Sequence, residues 1–172
     1  MKHGLICGRF QPLHLGHVSL IKKALSECDH LTIMVGSAQD ILDDRNFYTY
    51  SCRLEMIKKN FNVEMSNNTL RVFPIVDIHN PPKWAEYVLN SLTLLTQRNW
   101  EINVYFAGSE EDAALFRAKG IRSVILPRDL SDYKSGTEIR AMLVSGNLEW
   151  RNYVPELIWD LADINIFREN GE

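Results

Sequence analysis

Short apolar runs alternate with amphipathic segments along most of this sequence. The runs contain four to seven residues and many β-branched side chains, as is typical of strands buried on both faces of a parallel sheet. They are GLIC (4–7), LTIMVGS (31–37), LRVFPIV (70–76), INVYFAG (102–108) and SVILP (123–127). The pattern therefore predicts five buried strands.

The segments between these runs carry apolar residues at helical spacing. One stripe consists of Val18, Leu20, Ile21, Ala24, Leu25 and Cys28. A second consists of Trp84, Val88, Leu92 and Leu95. A third helix is predicted over EEDAALFRAKG (110–120), which ends on a glycine suited to a helix C-terminus. The tail, residues 147–167, predicts one or two closing helices with Pro155 near a helix start.

The regular alternation of strand and helix predicts the fold class. Repeated right-handed crossovers between parallel strands build an α/β fold with helices on both faces of the sheet. We therefore expect a doubly wound, five-stranded parallel sheet with C-terminal helices. Ligands of such folds bind beyond the C-terminal ends of the strands. With 172 residues and no repeat or linker, the chain is predicted to form one domain over residues 1–172.

Composition and charge narrow the expected partners and location. Hydrophobic residues make up 45% of the chain and charged residues 24%, which is typical of globular proteins in water. No apolar stretch is long enough to span a membrane, and the N-terminus lacks signal-peptide features. The net charge of −3 gives no general attraction to nucleic acid. The three cysteines show neither a disulfide framework nor CxxC spacing, so a reducing, cytoplasmic location is expected.

The connection after the first strand, CGRFQPLHLGH (7–17), is rich in side chains that bind anions. Such connections commonly bind phosphates, yet this one is neither GxGxxG nor GxxxxGK[ST]. His14 and His17, at a predicted helix start, could join Arg9 in donating hydrogen bonds to a triphosphate. Gly16 would keep that approach open. The alternatives are half of a metal site, although HExxH is absent, or two capping histidines without chemistry.

A second candidate element is a predicted helix start near the C-terminus. Ser135 and Glu138 match a capping box, which needs no ligand to explain it. Arg140, one turn into the helix, would share a face with Gly136 and Thr137. A hydroxyl, main-chain N–H groups and a guanidinium could then meet the β and γ phosphates of a nucleotide together.

Together these motifs resemble those of a known family. GRFQPLHLGH resembles the signature of the HxGH nucleotidyltransferases, which have a Rossmann-like fold. The whole set is most similar to the archaeal-type nicotinamide mononucleotide adenylyltransferases. The matching segments are GRFQPLHLGH (8–17), VGSAQ (35–39), NFYTYSCRLEMI (46–57) and SGTEIRAML (135–143). They occur in the family's order and span most of the chain.

The resemblance implies a set of site residues. The catalytic residues would be His14, His17 and Arg140. The residues binding ATP and its phosphates would be Gly8, Arg9, Phe10, Gly16, Gly108, Ser135, Gly136 and Thr137. The residues binding the mononucleotide would be Ser37, Asn46, Arg53, Asp77 and Trp84. No protein side chain is implied as a metal ligand, because Mg²⁺ would be held mainly by phosphate oxygens and water.

The mononucleotide residues also have simpler explanations. Trp84 could stack on a pyridinium ring, or it could start the apolar stripe of its helix. Arg53 could face the mononucleotide phosphate, or it could be an exposed structural arginine. His79 and Pro81 stand where the family carries asparagines, which leaves recognition of the carboxamide open.

The acidic residues near the motifs are interpreted as solvated loop or helix-start acids without a functional role. They are Asp43, Asp44 and Glu110 to Asp112.

The activity implied is in-line attack of nicotinamide mononucleotide on ATP, with Mg²⁺, to give NAD and pyrophosphate. Nicotinate mononucleotide is a second candidate acceptor. ATP and the mononucleotide would be the partners, with neither nucleic acid nor membrane, and the archaeal relatives imply a homo-oligomer. Two alternatives remain open: an HxGH nucleotidyltransferase with another acceptor, and a regulatory module that binds nucleotides without turnover.

Overall fold

Five parallel strands form the centre of the molecule. The computed structural model describes residues 1–39, 42–97, 101–125 and 133–163. The strands are β1 (His3–Gly8), β2 (His30–Val35), β3 (Leu70–Pro74), β4 (Val104–Ala107) and β5 (Arg122–Ile125). Their order in the sheet is β3-β2-β1-β4-β5, and every neighbouring pair is parallel. The predicted doubly wound, Rossmann-like sheet is confirmed, although the last two residues of the run 123–127 lie outside the described residues.

Helices connect these strands and cover both faces of the sheet. They are α1 (Leu15–Glu27), α2 (Tyr50–Asn60), α3 (Asn62–Ser66), α4 (Trp84–Thr96), α5 (Glu110–Arg117), α6 (Gly136–Ser145) and α7 (Trp159–Ala162). Short 3₁₀ turns cover Pro81–Lys83, Leu148–Asn152 and Glu156–Ile158. Pro155 caps the last of these turns, so the predicted helix start is confirmed. Residues 164–167 of the predicted closing helices lie outside the described part of the chain.

Alternate residues of the strands enter two separate cores. On one face Ile6 packs with residues of α1, α2 and α6. On the other face Leu5 packs with residues of α4 and α5. The stripe predicted for α4 is wrong at its end, because Leu95 is 46% exposed. The helix buries Ala85, Val88 and Leu92, and Leu95 lies nearly one turn beyond the last of them.

The fold brings three strand ends together at one edge of the sheet. The connections that follow β1, β2 and β4 all leave from the carboxyl edge, where α/β folds bind ligands. α6 begins near the same edge, because Arg140 reaches the carbonyl of Gln11 in the first connection. Within the described residues, no helix has the length and apolar character needed to cross a membrane.

A histidine at the opposite edge of the sheet is expected to make the stability of the fold depend on pH. The rings of His3 on β1 and His30 on β2 are 5.3 Å apart. Burial lowers the pKa of His3 below its ordinary value of 6.5. The nearby positive charges, which are His30, Arg71 and the N-terminus, lower it further, and the negative charge of Asp29 raises it. The unfolded chain therefore accepts a proton that folded His3 resists. We expect the free energy of unfolding to fall as the pH drops below the ordinary value.

Urea unfolding at about pH 7.5 and about pH 5 measures this difference. The variant His3→Gln should show a smaller loss of stability at the lower pH than the wild type. An undiminished pH dependence in His3→Gln would contradict the assignment to His3.

Candidate active site

The two histidines of the first connection cap α1 and stack on each other. His14 is the N-cap residue, and its Nδ1 accepts a hydrogen bond from the main-chain N–H of His17 at 3.3 Å. In return, Nδ1 of His17 accepts from the main-chain N–H of His14 at 3.4 Å. The ring centroids are 3.6 Å apart. Because each Nδ1 acts as an acceptor, the neutral form of each ring carries its proton on Nε2, as a donor suited to an anion.

Neighbouring residues hold this histidine pair in place. Phe10 is buried in a left-handed conformation with φ of 54°, and its ring lies 4.7 Å from that of His17. A Cβ on Gly8 would lie 3.0 Å from the Phe10 ring. A Cβ on Gly16 would meet the His14 ring at 3.1 Å. The missing side chain makes room for the stacked imidazole.

The start of α6 supplies a second group of donors. Ser135 and Glu138 form the predicted capping box. The guanidinium of Arg140 is largely buried, and its Nη1 donates to the carbonyl of Gln11 at 2.8 Å. Its Nη2 donates to the hydroxyl of Thr137 at 3.2 Å. The bond to Gln11 ties α6 to the connection that carries the histidines.

A cavity of about 350 Å³ lies between these two elements. Its wall contains most of the residues predicted to bind ATP or act in catalysis. They are Gly8, Arg9, Phe10, His14, His17, Gly108, Ser135, Gly136, Thr137 and Arg140. Gly16 is absent from this wall. We refer to this space as the phosphate cavity.

A second cavity of about 620 Å³ adjoins the first, and Arg9 and Asp112 belong to both walls. Four of the residues predicted to bind the mononucleotide line it, and we call it the mononucleotide cavity. They are Ser37, Asn46, Asp77 and Trp84. Trp84 is half-buried and also packs against the α4 core, as its explanation as the start of the helix stripe predicts.

Asp77 acts within the wall of the mononucleotide cavity as a hydrogen-bond acceptor. It accepts from the hydroxyl of Ser37 at 2.7 Å and from the amide of Gln39 at 3.1 Å. Burial by itself would raise the pKa of the Asp77 carboxyl, but these hydrogen bonds lower it below its ordinary value. The carboxylate therefore stays ionised and fixes the turn after β2.

The structure corrects the interpretation of Arg53 as an exposed structural arginine. The side chain is fully buried rather than exposed, and it belongs to neither cavity wall. Its guanidinium donates to the carbonyls of Arg9, Gly36 and Ser37. Arg53 lies on α2, where these carbonyls surround it. The sequence alone could not show that these carbonyls accept its hydrogen bonds.

Three arginines concentrate positive charge around the two cavities. Burial lowers the pKa of Arg140, and the charges of Arg9 and Arg45 lower it further. The pKa of Arg9 is also lowered, first by burial and then by the positive charge of Arg45. Cations that destabilise one another gain most from a bound anion, so these cavities suit phosphate groups.

Three charged residues outside the predicted site also line the cavities. Arg45 and Asp43 belong to the mononucleotide cavity, and Asp112 belongs to both. The signal for Arg45 was its place directly before Asn46 in a family motif. Asp43 and Asp112 gave no such signal, because acids in a loop or at a helix start are usually solvated.

The side chains suited to a metal are few. Among the described residues, no three His, Cys, Asp or Glu side chains are grouped closely enough to hold a metal ion. Asp112 has an exposed carboxylate in the shared wall of the two cavities. Mg²⁺ is commonly bound by one or two carboxylates together with substrate phosphates, so this single carboxylate fits such an ion.

Comparison with known proteins identifies the family. Residues 5–141 match the cytidylyltransferase-like family. The chain is 33% identical over 159 residues to nicotinamide-nucleotide adenylyltransferase of Thermococcus kodakarensis, covering 92% of this chain and 80% of that protein. The chain belongs to the nicotinamide-nucleotide adenylyltransferase family. The family member from Saccharolobus solfataricus is 32% identical over 160 residues, which cover 92% of this chain and 88% of that protein.

Solved structures with similar folds include a further adenylyltransferase and a protein bound to NAD and AMP-PNP. A bifunctional NMN adenylyltransferase/ADP ribose pyrophosphatase from Francisella tularensis, complexed with AMP and manganese, superposes with a TM-score of 0.73 at 19% identity, covering 96% of this chain. NadR protein in complex with NAD and AMP-PNP gives 0.62 at 22% identity, covering 91% of this chain. The chain spans about half the length of each, 53% and 45%. The resemblance to HxGH nucleotidyltransferases is confirmed by the family match and the fold.

Proposed function

We propose that this member of the nicotinamide-nucleotide adenylyltransferase family transfers AMP from ATP to nicotinamide mononucleotide, giving NAD and pyrophosphate. The observation that carries the proposal is the pair of adjoining cavities with Arg9 in both walls. One cavity contains the stacked histidines and Arg140, and the other contains Trp84. A regulatory module without turnover is not favoured, because the relatives above are adenylyltransferases.

The phosphate cavity supplies the groups that bind ATP. Nε2–H groups of His14 and His17 donate to the α and β phosphates, while Arg140 and Thr137 contact the β and γ phosphates. The N-terminus of α6 points main-chain N–H groups at the same anion. These donors stabilise the negative charge that develops on the leaving pyrophosphate.

The shared wall between the cavities is where the two substrates meet. The 5′-phosphate of the mononucleotide is ionised at neutral pH, so it attacks the α-phosphorus of ATP without a protein nucleophile or base. Arg9 contacts both phosphates and offsets their repulsion. Catalysis then consists of holding the two groups in line and stabilising the charge on the leaving group.

A divalent ion fits the same place. Asp112, directly or through water, would hold Mg²⁺ together with substrate phosphate oxygens, and the ion would supply further neutralisation of the charge on the pyrophosphate. The carboxylate of Asp112 lies in the shared wall, where it could hold this ion.

The mononucleotide cavity binds the acceptor. Trp84 stacks on the pyridinium ring, since an indole face attracts a cationic ring. Asn46 and Ser37, the latter held by Asp77, provide polar contacts to the rest of the nucleotide. Arg53 contributes by supporting the wall and not by direct contact.

Two further expectations accompany this function. A cytoplasmic enzyme is supported by Cys7, Cys28 and Cys52, which are all free thiols in the structure. The homo-oligomer stays a prediction.

Pyrophosphate release with parallel acceptors tests the proposed function. Purified protein with ATP and Mg²⁺ should release pyrophosphate with nicotinamide mononucleotide, and phosphopantetheine in the same assay should give only background. Nicotinate mononucleotide, run alongside, determines whether the acid form is also accepted. Release with phosphopantetheine alone would assign another acceptor, and release with none would reject the transfer reaction.

A further inference from the structure

Arg53 is a buried cation whose described hydrogen bonds go to main-chain carbonyls. Its Nη1 donates to the carbonyl of Arg9 at 2.8 Å and to that of Gly36 at 2.6 Å. Its Nη2 donates to the carbonyl of Ser37 at 3.0 Å, and its Nε to that of Thr49 at 3.2 Å. A planar guanidinium can reach several fixed acceptors at once, whereas a lysine ammonium acts as a point charge.

Three of these carbonyls belong to connections that form different cavity walls. Arg9 follows β1 and lines both cavities. Gly36 and Ser37 follow β2, and Ser37 lines the mononucleotide cavity. Arg53 thus joins the first connection to the second at the edge of the sheet where the substrates are proposed to bind.

Each connection contains a left-handed residue that is not glycine. Phe10 has φ of 54° and Ser37 has φ of 52°. The peptide that carries the Arg9 carbonyl also carries the nitrogen of Phe10, so its plane sets φ of Phe10. Likewise, the peptide that carries the Gly36 carbonyl also carries the nitrogen of Ser37, so its plane sets φ of Ser37. The same atom, Nη1 of Arg53, donates to both carbonyls. The left-handed conformations of Phe10 and Ser37 are strained, and strained conformations persist only where the surroundings fix them.

Both left-handed residues support groups in the cavities. The ring of Phe10 packs against that of His17 at 4.7 Å. The hydroxyl and main-chain N–H of Ser37 both donate to Asp77, at 2.7 and 3.2 Å. A substitution at Arg53 would therefore displace Phe10, which lines the phosphate cavity, and Ser37, which lines the mononucleotide cavity.

We infer that Arg53 is a positioning residue that fixes Phe10 and Ser37 together and so aligns the two cavities for in-line transfer, without touching either substrate. Its kinetic consequences rest on the proposed function. Its effect on the two connections does not, because that effect exists before any substrate binds.

Hydrogen exchange measures the effect on the connections directly. Arg53→Lys keeps the charge but cannot reach all the carbonyls, so the amides of Phe10 and Ser37 should exchange at least about tenfold faster. Amides in β4 and α5, which Arg53 does not contact, should keep their wild-type rates. Lys58→Met, at an exposed position of the same helix, is the matched control and should leave both sets unchanged.

Kinetics measure the effect on alignment. In Arg53→Lys we expect kcat to fall by about 10- to 100-fold, since small displacements of reacting groups cost this much. The Kd of a non-hydrolysable ATP analogue should change by less than about threefold, because the phosphate-binding side chains remain. Lys58→Met should retain wild-type kcat and Kd.

Three outcomes would overturn the inference. Weaker mononucleotide binding with unchanged kcat and unchanged exchange would show that Arg53 contacts the acceptor phosphate. Faster exchange throughout the sheet with unchanged kcat would show a general structural role. Unchanged exchange at Phe10 and Ser37 in Arg53→Lys would reject the positioning role, whether or not the wild type transfers adenylyl groups. If the wild type transferred no adenylyl group, that result alone would reject only the proposed function and the kinetic consequence.

Discussion

His17→Ala is expected to lower kcat for adenylyl transfer by about 10²- to 10³-fold, the usual cost of removing one donor to a developing charge. The Nδ1 of His17 accepts from the main-chain N–H of His14, and its Nε2–H group is the donor proposed for the phosphate. The loss should appear mainly in kcat rather than in the KM for ATP, because the leaving pyrophosphate gains charge only in the transition state.

His17→Asn separates this role from helix capping. An asparagine oxygen can replace Nδ1 in the cap of α1, but it offers no group at the position of Nε2. We expect this variant to melt within a few degrees of the wild type and to be as slow as His17→Ala. His30→Ala, which removes a histidine at the other edge of the sheet, is the control. Wild-type kcat in His17→Asn would contradict the assignment of His17.

Arg140→Met is expected to lower kcat/KM for ATP by about 10²- to 10³-fold, with both a higher KM and a lower kcat. The largely buried guanidinium lies in the wall of the phosphate cavity between Gln11 and Thr137. Its removal takes away a donor to the β and γ phosphates and reduces the positive potential around Arg9.

Initial rates at varied ATP, together with inhibition by pyrophosphate, measure this effect. Arg140→Lys should fall between Arg140→Met and the wild type, because it keeps the charge without the planar fork. Arg122→Met, at an exposed arginine on β5, is the matched control. If pyrophosphate inhibited Arg140→Met as strongly as the wild type, Arg140 would not contact these phosphates.

The sheet and most of the phosphate cavity could be predicted from the sequence because the signals are local. Buried strands read as apolar runs, and Ser135 with Glu138 forms a capping box within four residues. The place of GRFQPLHLGH directly after the first strand was enough to put His14 and His17 at the carboxyl edge of the sheet. Each of these signals depends on neighbours along the chain.

What could not be predicted depends on contacts between distant segments. Arg53 is buried because carbonyls from two other connections surround it, and nothing in its own segment shows this. Gly16 makes room for the His14 ring, a packing detail that depends on how the side chains stack. In the sequence, Asp112 is an ordinary acidic residue at a helix start. Its place in the shared wall of the two cavities depends on where α5 lies in the fold.

The reaction of ATP labelled at the α-phosphorus with nicotinamide mononucleotide tests the central claim most directly. With the wild-type protein and Mg²⁺, the label should pass into NAD with one pyrophosphate released for each dinucleotide formed, and none should become attached to the protein. Label that stays in ATP, appears only as free AMP, or binds covalently to the protein would contradict direct transfer between the two cavities.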